Sequence, residues 1–577
     1  MKFSDLSLYL KKLEDTSSRL EITRLLSELF KVSDKKEIEK TVYLILGSLG
    51  PSYRNIVFNI AERMMIQILA DAYKKDKEKV KEMYKKEGDL GSLAEMFSEN
   101  RVGLLTVSEV YDFLLDIADE KGEKSQERKI KKTSLLLSKL DPLSSRYVAR
   151  IFVGKLRLGF SDRTIIDALS WMEKGDKSLS KKLEKAYFVL PDVGGLAKAV
   201  KEKGIEGSVK DISPSIGVPV LPMLAQRLKS PKEMIEKMGT VSIEPKFDGL
   251  RIQIHFRSGK GGFIMAFTRN MNETSWMFPE LKKIEKQILA DEVILDTEAV
   301  GVDEKRKSLV NFQSTMTRRR KHDIERIAGK VSIKFYAFDV LYKNGKSLMN
   351  ESYLQRREIL EDIIKNGDVL KVVENRISDD FIVIEKEMKR ELSEGLEGII
   401  VKRANSRYVP GRTGWRWVKM KEGEKAKAKL ADTLDCVVMG YYRGRGKRAE
   451  FGLGGFLVGV LDKGKFTSLT KIGTGLTDLQ FRELKKRLSE LESKTKPKEY
   501  GKVEKNLIPD VWVQPSLVVE IAADEITVSP THSSGYALRF PRLVKLRDDK
   551  SKDQATTKKE IVRLFELYVN NLQLSGR

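Results

Sequence analysis

The sequence predicts a multidomain protein in which an all-α N-terminal domain precedes an α+β domain and a C-terminal β-barrel domain. Three observations lead to this prediction. The chain has 577 residues, more than one compact domain normally holds, and the usual domain size suggests about three or four domains. Its apolar residues recur every three or four positions up to about residue 210 and every second position afterwards. The proline-containing segment "DISPSIGVPVLPML" separates the two patterns.

The N-terminal region has the period of amphipathic helices. Ile22, Leu25, Leu26 and Leu29 fall at i, i+3, i+4 and i+7, and charged residues fill the remaining positions. Three prolines between positions 214 and 222 favour an extended linker, because proline is not tolerated inside a helix. We therefore predict a helical domain over residues 1–213.

The rest of the chain reads as strands with intervening helices. Segments such as "GLRIQIHF" and "SIKFYAFDVLY" alternate apolar and polar residues, and helical stretches such as "ESYLQRREILEDIIK" lie between them. This pattern predicts an α+β domain over residues 214–430. Short strand-like segments, Gly-rich turns and one helix follow, and this combination over residues 431–577 suits a small β-barrel of the OB type.

The composition favours a polyanionic partner. Lys and Arg number 108 against 84 Asp and Glu, which gives a formal net charge of +24. Such a surplus attracts nucleic acid first and anionic membranes second, although a merely basic surface would have the same composition. The only cysteine, Cys436, excludes an intramolecular disulfide and a four-cysteine zinc site.

The sequence also indicates where the protein works. Its first residues lack the apolar run of a signal peptide, and no later run approaches the roughly 18 apolar residues of a membrane span. We therefore expect a cytoplasmic protein without a membrane partner.

The segment "SIEPKFDGLRIQIHF" carries the first candidate for catalysis. In an extended chain, Lys246 and Asp248 would project together from one face, because Pro245, Phe247 and Gly249 occupy the alternate positions. A lysine attacks an electrophile once a nearby cation or desolvation favours its neutral amine. A single K-x-D-G is more often a tight turn with a solvated lysine, so the motif needs supporting residues.

Supporting residues follow in chain order. Glutamates supply the oxygen ligands of a divalent cation, cationic side chains bind phosphate, and an aromatic ring stacks on a base. Each of these residues could also be an ordinary surface charge or a packed aromatic ring. They occur one after another along predicted strands, however, and this order supports a common site. These candidates are Arg251, Arg269, Glu298, Phe338, Glu397, Lys419 and Lys421.

Taken together, these residues resemble the motifs of the ATP-dependent DNA ligases, most closely the archaeal and eukaryotic replicative type. The resemblance covers essentially the whole chain. The matching segments, in order, are "KFDG" at 246–249, "TRN", "DTEAVG", "FYAFD", "EGIIVK", "WVKMK" and, near the C-terminus, "RFPRLVKLRDDK".

The resemblance implies a covalent mechanism. Lys246 would attack the α-phosphate of ATP and become a lysyl-AMP while pyrophosphate leaves. Glu244 would recognise the adenine and Phe338 would stack on it, whereas Arg269 and Glu298 would hold the ribose side.

The phosphates would be held by further motif residues. By resemblance, Arg251 touches phosphate, Lys419 and Lys421 neutralise the α-phosphate, and Mg²⁺ binds near Glu298 and Glu397. Electrostatic stabilisation would then be the main catalytic term. AMP would next pass to a DNA 5′-phosphate, which the 3′-OH attacks to seal the nick.

Two further elements are assigned by resemblance. Arg547, Asp549 and Lys550 would orient the leaving pyrophosphate. An arginine usually found six residues before the first lysine of "WVKMK" is replaced here by Thr413, and we assign its role to Arg412 in "PGRTG".

The N-terminal domain resembles the DNA-binding domain of replicative ligases. Arg146 and Arg150 lie one helical turn apart, and Lys155 and Arg157 follow shortly after. We expect this basic face to grip duplex DNA without sequence specificity, although an ordinary solvated helix would have a similar pattern.

Two alternative functions stay open at this point: a non-catalytic DNA-binding scaffold, and an RNA ligase or capping-type nucleotidyltransferase. We expect ATP and Mg²⁺ as cofactors, nicked double-stranded DNA as the partner, and a monomer associated with the nucleoid of an archaeal-like cell. The expected roles are DNA replication, repair and recombination, and cell division. A sliding clamp is a further partner of such ligases, but the sequence contains no evident clamp-binding segment.

Overall fold

The computed structural model describes most of the chain. The described residues are 1–98, 102–156, 158–210, 212–228, 230–303, 308–309, 332–411, 414–421, 433–444, 446–473, 476–523 and 525–574. No helix among them is long and apolar enough to cross a membrane.

The chain forms two compact units, each assembled from separate segments. The first contains Met1–Asn59, Gly103–Lys132 and Leu158–Lys425, and the second contains Ile60–Val102, Thr133–Arg157 and Ala426–Arg577. The boundaries that we place near residues 213 and 430 stay predictions.

The N-terminal region is helical, as predicted. Its helices α1 to α12, in chain order, are Phe3–Glu14, Arg19–Val32, Ile38–Ile45, Glu62–Tyr73, Lys77–Glu87, Leu90–Phe97, Val107–Asp119, Ser125–Leu137, Pro142–Phe152, Asp162–Lys174, Ser180–Val189 and Val193–Val209.

The predicted apolar face of α2 is buried. Ile22, Leu25, Leu26 and Leu29 all lie in the core, and Ser18 caps the helix by accepting a hydrogen bond from the N–H of Glu21. Three or four residues per turn bring these positions to one side of the helix. The pattern therefore identified the core face correctly.

The described residues of the proline-containing segment form no helix, make a tight turn over residues 215–218 and are hydrogen-bonded to the sheet that follows them. The N–H of Val220 donates to Gln253 Oε1 at 2.7 Å, and the N–H of Gly217 donates to His255 Nδ1 at 3.0 Å. Burial lowers the pKa of His255 to about 3, so its ring is neutral and can accept this hydrogen bond.

Two sheets form the middle region. In the first the order is β1-β12-β11-β2-β10, and in the second it is β4-β3-β5-β7-β8, with β6 on β5 and β9 on β7. The strands β1 to β12 are Gln226–Arg227, Val241–Pro245, Leu250–Arg257, Phe263–Thr268, Glu292–Asp303, Ser308–Leu309, Ser332–Lys343, Lys346–Ser347, Leu370–Val372, Arg376–Ser378, Gly398–Arg403 and Trp417–Lys421. The helices α13 to α15 are Pro231–Met238, Tyr353–Ile363 and Phe381–Ser393.

The prediction of one continuous strand through Lys246 is wrong. Strand β2 ends at Pro245 and β3 begins at Leu250, and the two strands belong to different sheets. The chain turns sharply at Gly249, where a Cβ atom would lie 2.6 Å from the carbonyl oxygen of Ala299. Only glycine permits so close a backbone approach, and Lys246 therefore lies in the crossing between the sheets.

The C-terminal region is rich in sheet. The strands β13 to β21 are Leu434–Tyr442, Gly455–Asp462, Lys465–Ile472, Glu492–Ser493, Val511–Val513, Val518–Ala522, Glu525–Val528, Tyr536–Arg539 and Arg542–Leu546, and the helices α16 and α17 are Asp478–Glu490 and Lys558–Leu574. The main sheet runs β15-β14-β13-β17-β16, with β18 joining β13 to β21. Among the described residues these pairings do not close into a barrel.

Candidate active site

A pocket lies where the two middle sheets meet. It encloses about 540 Å³ of space not filled by protein atoms, including its open mouth, which is within the usual size of a small-ligand site. Strands of both sheets line it, together with the crossing that carries Lys246. The lining residues are Ala225, Glu244, Pro245, Lys246, Phe247, Arg251, Glu298, Phe338, Val373, Ile400, Lys402 and Trp417.

A buried ion pair closes the inner end of this pocket. Lys402 Nζ lies 2.7 Å from Glu244 Oε2 and donates to the carbonyl oxygen of Phe338 at 2.8 Å. The Tyr353 hydroxyl donates to the other oxygen of Glu244. Burial lowers the pKa of Lys402, and Glu244 opposes that shift. All of these groups have partners, so this end is fixed before any ligand enters.

Aromatic rings form one wall. The rings of Phe338 and Trp417 meet edge to face, with centroids 5.9 Å apart. Lys402 Nζ lies 4.7 Å from the centre of the Phe338 ring and 4.6 Å from that of Trp417. Such a wall suits a flat aromatic ligand. Phe338, for which the sequence predicts base stacking, is part of this wall.

Arg251 is held in a buried network. Its guanidinium forms two contacts with Asp296, at 2.9 and 2.6 Å, and donates to the carbonyl oxygen of Met223 at 2.5 Å. The hydroxyl of Tyr408 donates to the same carboxylate at 3.0 Å. Burial works against the charge, but Asp296 keeps the pKa of Arg251 above its usual value. The pocket thus has a fixed positive charge on its β3 side.

Lys246 and Glu397 are held together at the mouth. The backbone of Lys246 is bonded to that of Glu397 and its neighbour, since the Glu397 N–H donates to Lys246 O at 3.1 Å and the Lys246 N–H donates to Gly398 O at 2.9 Å. Their side chains meet as well: Lys246 Nζ lies 2.5 Å from Glu397 Oε2, and Lys421 Nζ lies 2.6 Å from the same oxygen. Burial would raise the pKa of Glu397, but the two lysines hold it below its ordinary value.

Glu298 faces the same pocket from β5, opposite Arg251 in the register of β3 and β5. Burial raises the pKa of Glu298 to about 7, and Lys246 and Arg251 only partly offset this effect. A carboxyl group whose pKa stays so high is only incompletely compensated by the positive charges near it. This position therefore favours the arrival of a cation.

The remaining predicted nucleotide-binding residues lie outside the lining. Lys419 lies on β12 two residues before Lys421, so the two lysines face the same side of the strand. Arg269 is exposed just after β4 and does not line the pocket. Arg412 lies outside the described residues.

The predicted pyrophosphate-orienting residues form a cluster in the second compact unit. Arg547 Nη1 lies 3.0 Å from Asp435 Oδ1 and Arg547 Nη2 lies 2.7 Å from Asp549 Oδ2, while Lys550 Nζ lies 2.6 Å from Asp435 Oδ2. Asp435 thus bridges both cations of the motif.

Three of the four predicted DNA-binding residues are described, and each of these three has a carboxylate partner. Arg146 lies 2.9 Å from Glu95, Lys155 contacts Glu62, and Arg150 contacts Asp89. Arg150 is only 8% exposed, so phosphate could reach it only if this pair opened. Arg157 lies outside the described residues.

Several residues of the site have no role predicted from the sequence, although Lys402 ends the quoted motif "EGIIVK" and Asp296 begins the quoted motif "DTEAVG". Lys402 stands in the segment "EGIIVKR", yet its burial against Glu244 follows from the pairing of β11 with β2. Asp296 and Asp435 each hold predicted site residues in place, and Tyr408 lies far along the chain from Arg251. For Asp296 on β5 and Lys402 on β11, the alternation of side chains between the two faces of a strand is the only sequence signal that could have indicated an inward orientation.

Three family models match consecutive parts of the chain. The DNA ligase N terminus matches residues 2–170, the ATP dependent DNA ligase domain matches residues 222–421, and the ATP dependent DNA ligase C terminal region matches residues 449–550. Together with the helical N-terminal region and the sheet-rich C-terminal region, they define a three-domain ATP-dependent ligase architecture.

The relatives extend over the whole chain. A probable DNA ligase of Dictyoglomus turgidum is 39% identical over 576 residues, covering 98% of this chain and 97% of its own. The DNA ligase of Sulfolobus acidocaldarius is 35% identical over 599 residues, with 98% of each chain covered. The chain belongs to the ATP-dependent DNA ligase family, whose shared activity is the sealing of nicks in DNA.

A solved structure described as "Pmar-Lig_Pre." has a similar fold. It is 18% identical, with a TM-score of 0.52, and covers 94% of this chain and 99% of its own. At this identity the likeness concerns the fold alone.

Proposed function

We propose that Lys246 is the nucleophile by which this ligase takes AMP from ATP. The observation that carries the proposal is the position of its amine, 2.5 Å from Glu397 at the mouth of a pocket with an aromatic wall. The amine attacks the α-phosphate, a P–N bond forms, and the bond to pyrophosphate breaks. Glu397 is the nearest carboxylate that can take the proton that the ammonium must lose.

The pocket suits a nucleoside. Phe338 offers a ring face for the adenine, and the fixed charges of Glu244 and Lys402 at the inner end can distinguish its polar edge. Arg251 and Lys421 are cations for the phosphates, and Lys419 shares the face of Lys421. We assign the ribose side to Arg269 and Glu298, and the role given to Arg412 stays a prediction.

The carboxylates at the mouth fit Mg²⁺. Among the described residues no cluster of three or more His, Cys, Asp or Glu could hold a metal alone, but Mg²⁺ needs only one or two carboxylates when phosphates and water complete its shell. Glu298, with its raised pKa, and Glu397 would hold the ion. When bound, it supplies charge that neutralises the phosphates.

We further propose how DNA is held. Arg146 and Lys155 would exchange their carboxylate partners for backbone phosphates, while Arg150, paired with Asp89, would fix α9 between them. The same role for Arg157 stays a prediction. The C-terminal sheet would be an OB-type domain whose Arg547, Asp549 and Lys550 orient pyrophosphate.

In the cell, the protein would act on nicked duplex DNA as a cytoplasmic, nucleoid-associated monomer. Its roles would be DNA replication, repair and recombination, and the cell division that depends on them. A sliding clamp would be a further partner.

Labelling tests the proposal. Purified, AMP-free protein is incubated with Mg²⁺ and α-³²P-labelled ATP without DNA, then denatured, and the label on the chain is measured. We expect label on the wild type and on Lys260→Arg, an exposed control, but none on Lys246→Arg, which keeps the charge without the nucleophile. Label on Lys246→Arg would refute the assignment.

A further inference from the structure

A second cleft in the same compact unit has no part in the reaction described above. It contains about 1810 Å³ of space, including its open side. Residues of α11, α13, β11 and the segment between β11 and β12 line it. Five of the lining residues are cations: Lys185, Lys237, Arg403, Arg407 and Arg416. We call this region the basic cleft.

The basic cleft has an excess of positive charge. No Asp or Glu occurs among the described residues that line it, whereas Lys246, Arg251 and Lys402 in the nucleotide pocket each lie against a carboxylate. Glu233 approaches from outside the lining and lies 2.6 Å from Lys237 within α13. Arg403 and Arg407 are both exposed. Like charges gathered without acids in a concave surface create a positive potential that attracts anions.

The backbone around Arg403 and Arg407 is fixed by hydrogen bonds. The Tyr408 N–H donates to Met349 O at 2.9 Å, the Arg403 N–H donates to Arg416 O at 2.8 Å, and Ser406 O accepts a hydrogen bond from buried Arg356 at 3.1 Å. A ligand would therefore not have to order this backbone on binding, which lowers the entropic cost.

An aromatic surface accompanies the charges. Trp415 is partly exposed in the basic cleft, and Lys237 Nζ lies 4.4 Å from the centre of its ring. A basic groove with an interleaved aromatic ring is the arrangement that proteins use for nucleic-acid strands, whose phosphates contact the cations while a base stacks.

The basic cleft is separate from the reacting groups. Arg403 ends β11, whereas Glu397 lies just before the first residue of that strand. Six residues of extended chain span about 20 Å. The cleft can therefore be altered without touching Lys246 or its partners.

We propose that the basic cleft binds the sugar–phosphate backbone of a nucleic-acid strand, as a contact additional to those of the active site. The basic cleft is open, and its cations are spread over several helices and strands. Both features suit a polymer better than a free nucleotide, because small ligands usually bind in enclosed pockets. Contacts of this kind position a strand without reading its sequence.

Salt-dependent DNA binding tests the proposal. Dissociation constants for a nicked duplex of about 40 base pairs are measured by fluorescence anisotropy from about 50 to 200 mM salt. The variant is Arg403→Gln/Arg407→Gln, and the matched control is Lys260→Gln/Lys286→Gln, which removes two exposed cations of the same unit outside the cleft. We expect about tenfold weaker binding and a salt slope smaller by about 2 in the cleft variant only.

Three outcomes would overturn the proposal. One is an unchanged affinity and slope in the cleft variant. Another is loss of inorganic pyrophosphate binding with DNA binding intact, which would make the cleft a site for free phosphate compounds. The third is loss of α-³²P labelling or of thermal stability in both Arg403→Gln/Arg407→Gln and Arg403→Lys/Arg407→Lys, which would place the residues in the active site or the fold. Failure of the Lys246 assignment would instead appear as persisting label on Lys246→Arg, with the cleft effect unchanged.

Discussion

The two lysine–glutamate pairs of the nucleotide pocket differ in how firmly they are held. Lys402 and Glu244 lie at the inner end with side-chain exposures of 1% and 3%, whereas Lys246 and Glu397 lie at the mouth with exposures of 19% and 26%. At the inner end Tyr353 donates a further hydrogen bond to Glu244. At the mouth one oxygen of Glu397 is shared by two lysines.

This difference indicates that the inner pair maintains the shape of the pocket, whereas the outer pair takes part in the reaction. A buried pair whose hydrogen bonds are complete is costly to break and keeps the pocket in one form. A partly exposed carboxylate shared by two cations can exchange one partner at a lower cost, because the other cation still compensates its charge. We infer that the inner pair fixes the position of the base, and that the outer pair changes its partners during the reaction.

Removal of the inner lysine should have the largest effect. Lys402→Met leaves Glu244 buried without its cation, and breaking a buried pair in this way costs about 3–5 kcal/mol of stability. Urea denaturation measures the change. Lys260→Met, at an exposed position, should change stability by less than about 0.5 kcal/mol.

The double variant Lys402→Met/Glu244→Gln sharpens this result, because it removes both charges and should recover part of the loss. If Lys402→Met were as stable as the wild type, the two pairs would not differ as we describe.

Loss of the outer carboxylate should affect chemistry rather than stability. Glu397→Gln removes the group that contacts the Lys246 amine, and the rate of labelling by α-³²P-ATP should fall about 100-fold, as for loss of a general base. The free energy of unfolding of this variant should change by less than about 1 kcal/mol, because the pair is partly exposed. Glu292→Gln, which breaks the exposed pair with Arg257, is the matched control and should label normally. A labelling rate of Glu397→Gln equal to that of the wild type would remove Glu397 from the mechanism.

The motifs predicted which residues line the pocket better than they predicted how strands and ion pairs assemble it. The resemblance selected Lys246, Glu298 and Phe338, and the structure brings all three to one cavity. The apolar period also identified the helical N-terminal region. These features follow from the order of residues along the chain, which is what a sequence displays directly.

The sequence could not reveal features that depend on pairing between distant segments. Period-two alternation continues through Lys246, so nothing local marked the change of sheet at Gly249, which results from its approach to Ala299. The alternation that places Lys402 inward does not say that Glu244 faces it. The spacing that put Arg150 beside Arg146 likewise did not reveal that Asp89 buries it.

The pH dependence of labelling should report Glu298. Its pKa is raised to about 7 in the free protein, so below pH 7 the carboxyl is protonated and binds a cation poorly. The rate at limiting Mg²⁺ should therefore rise about tenfold per pH unit below 7 and level off above it. Labelling rates from acidic to mildly alkaline pH measure this profile. A rate that stays flat between pH 6 and pH 8 would contradict the role of Glu298.

The last expected effect concerns the stability of the ligand-free protein, which should change with pH in the direction opposite to the usual one for a carboxyl group. Because the pKa of Glu298 rises from 4.5 to about 7 on folding, the folded state prefers the protonated form. The wild type therefore loses stability as the pH rises from about 4.5 to about 7, whereas Glu298→Gln, a neutral isostere, does not. Above pH 7 the variant should be more stable than the wild type by up to about 3 kcal/mol, the value that linkage gives for a pKa rise of this size, with the difference vanishing below pH 4.5.

Thermal melts of both proteins at pH 4 and pH 8 measure this difference, and Glu285→Gln, at an exposed position, should show none. If Glu298→Gln were the less stable protein at pH 8, Lys246 and Arg251 would already compensate the Glu298 carboxylate. The charges at the mouth would then be as fully paired as those at the inner end. This result would contradict the difference that we describe between the two pairs, at Glu298, the residue that we assign to the metal. A gain in stability together with a loss of labelling would mean that Glu298 is kept charged for catalysis at the expense of the fold.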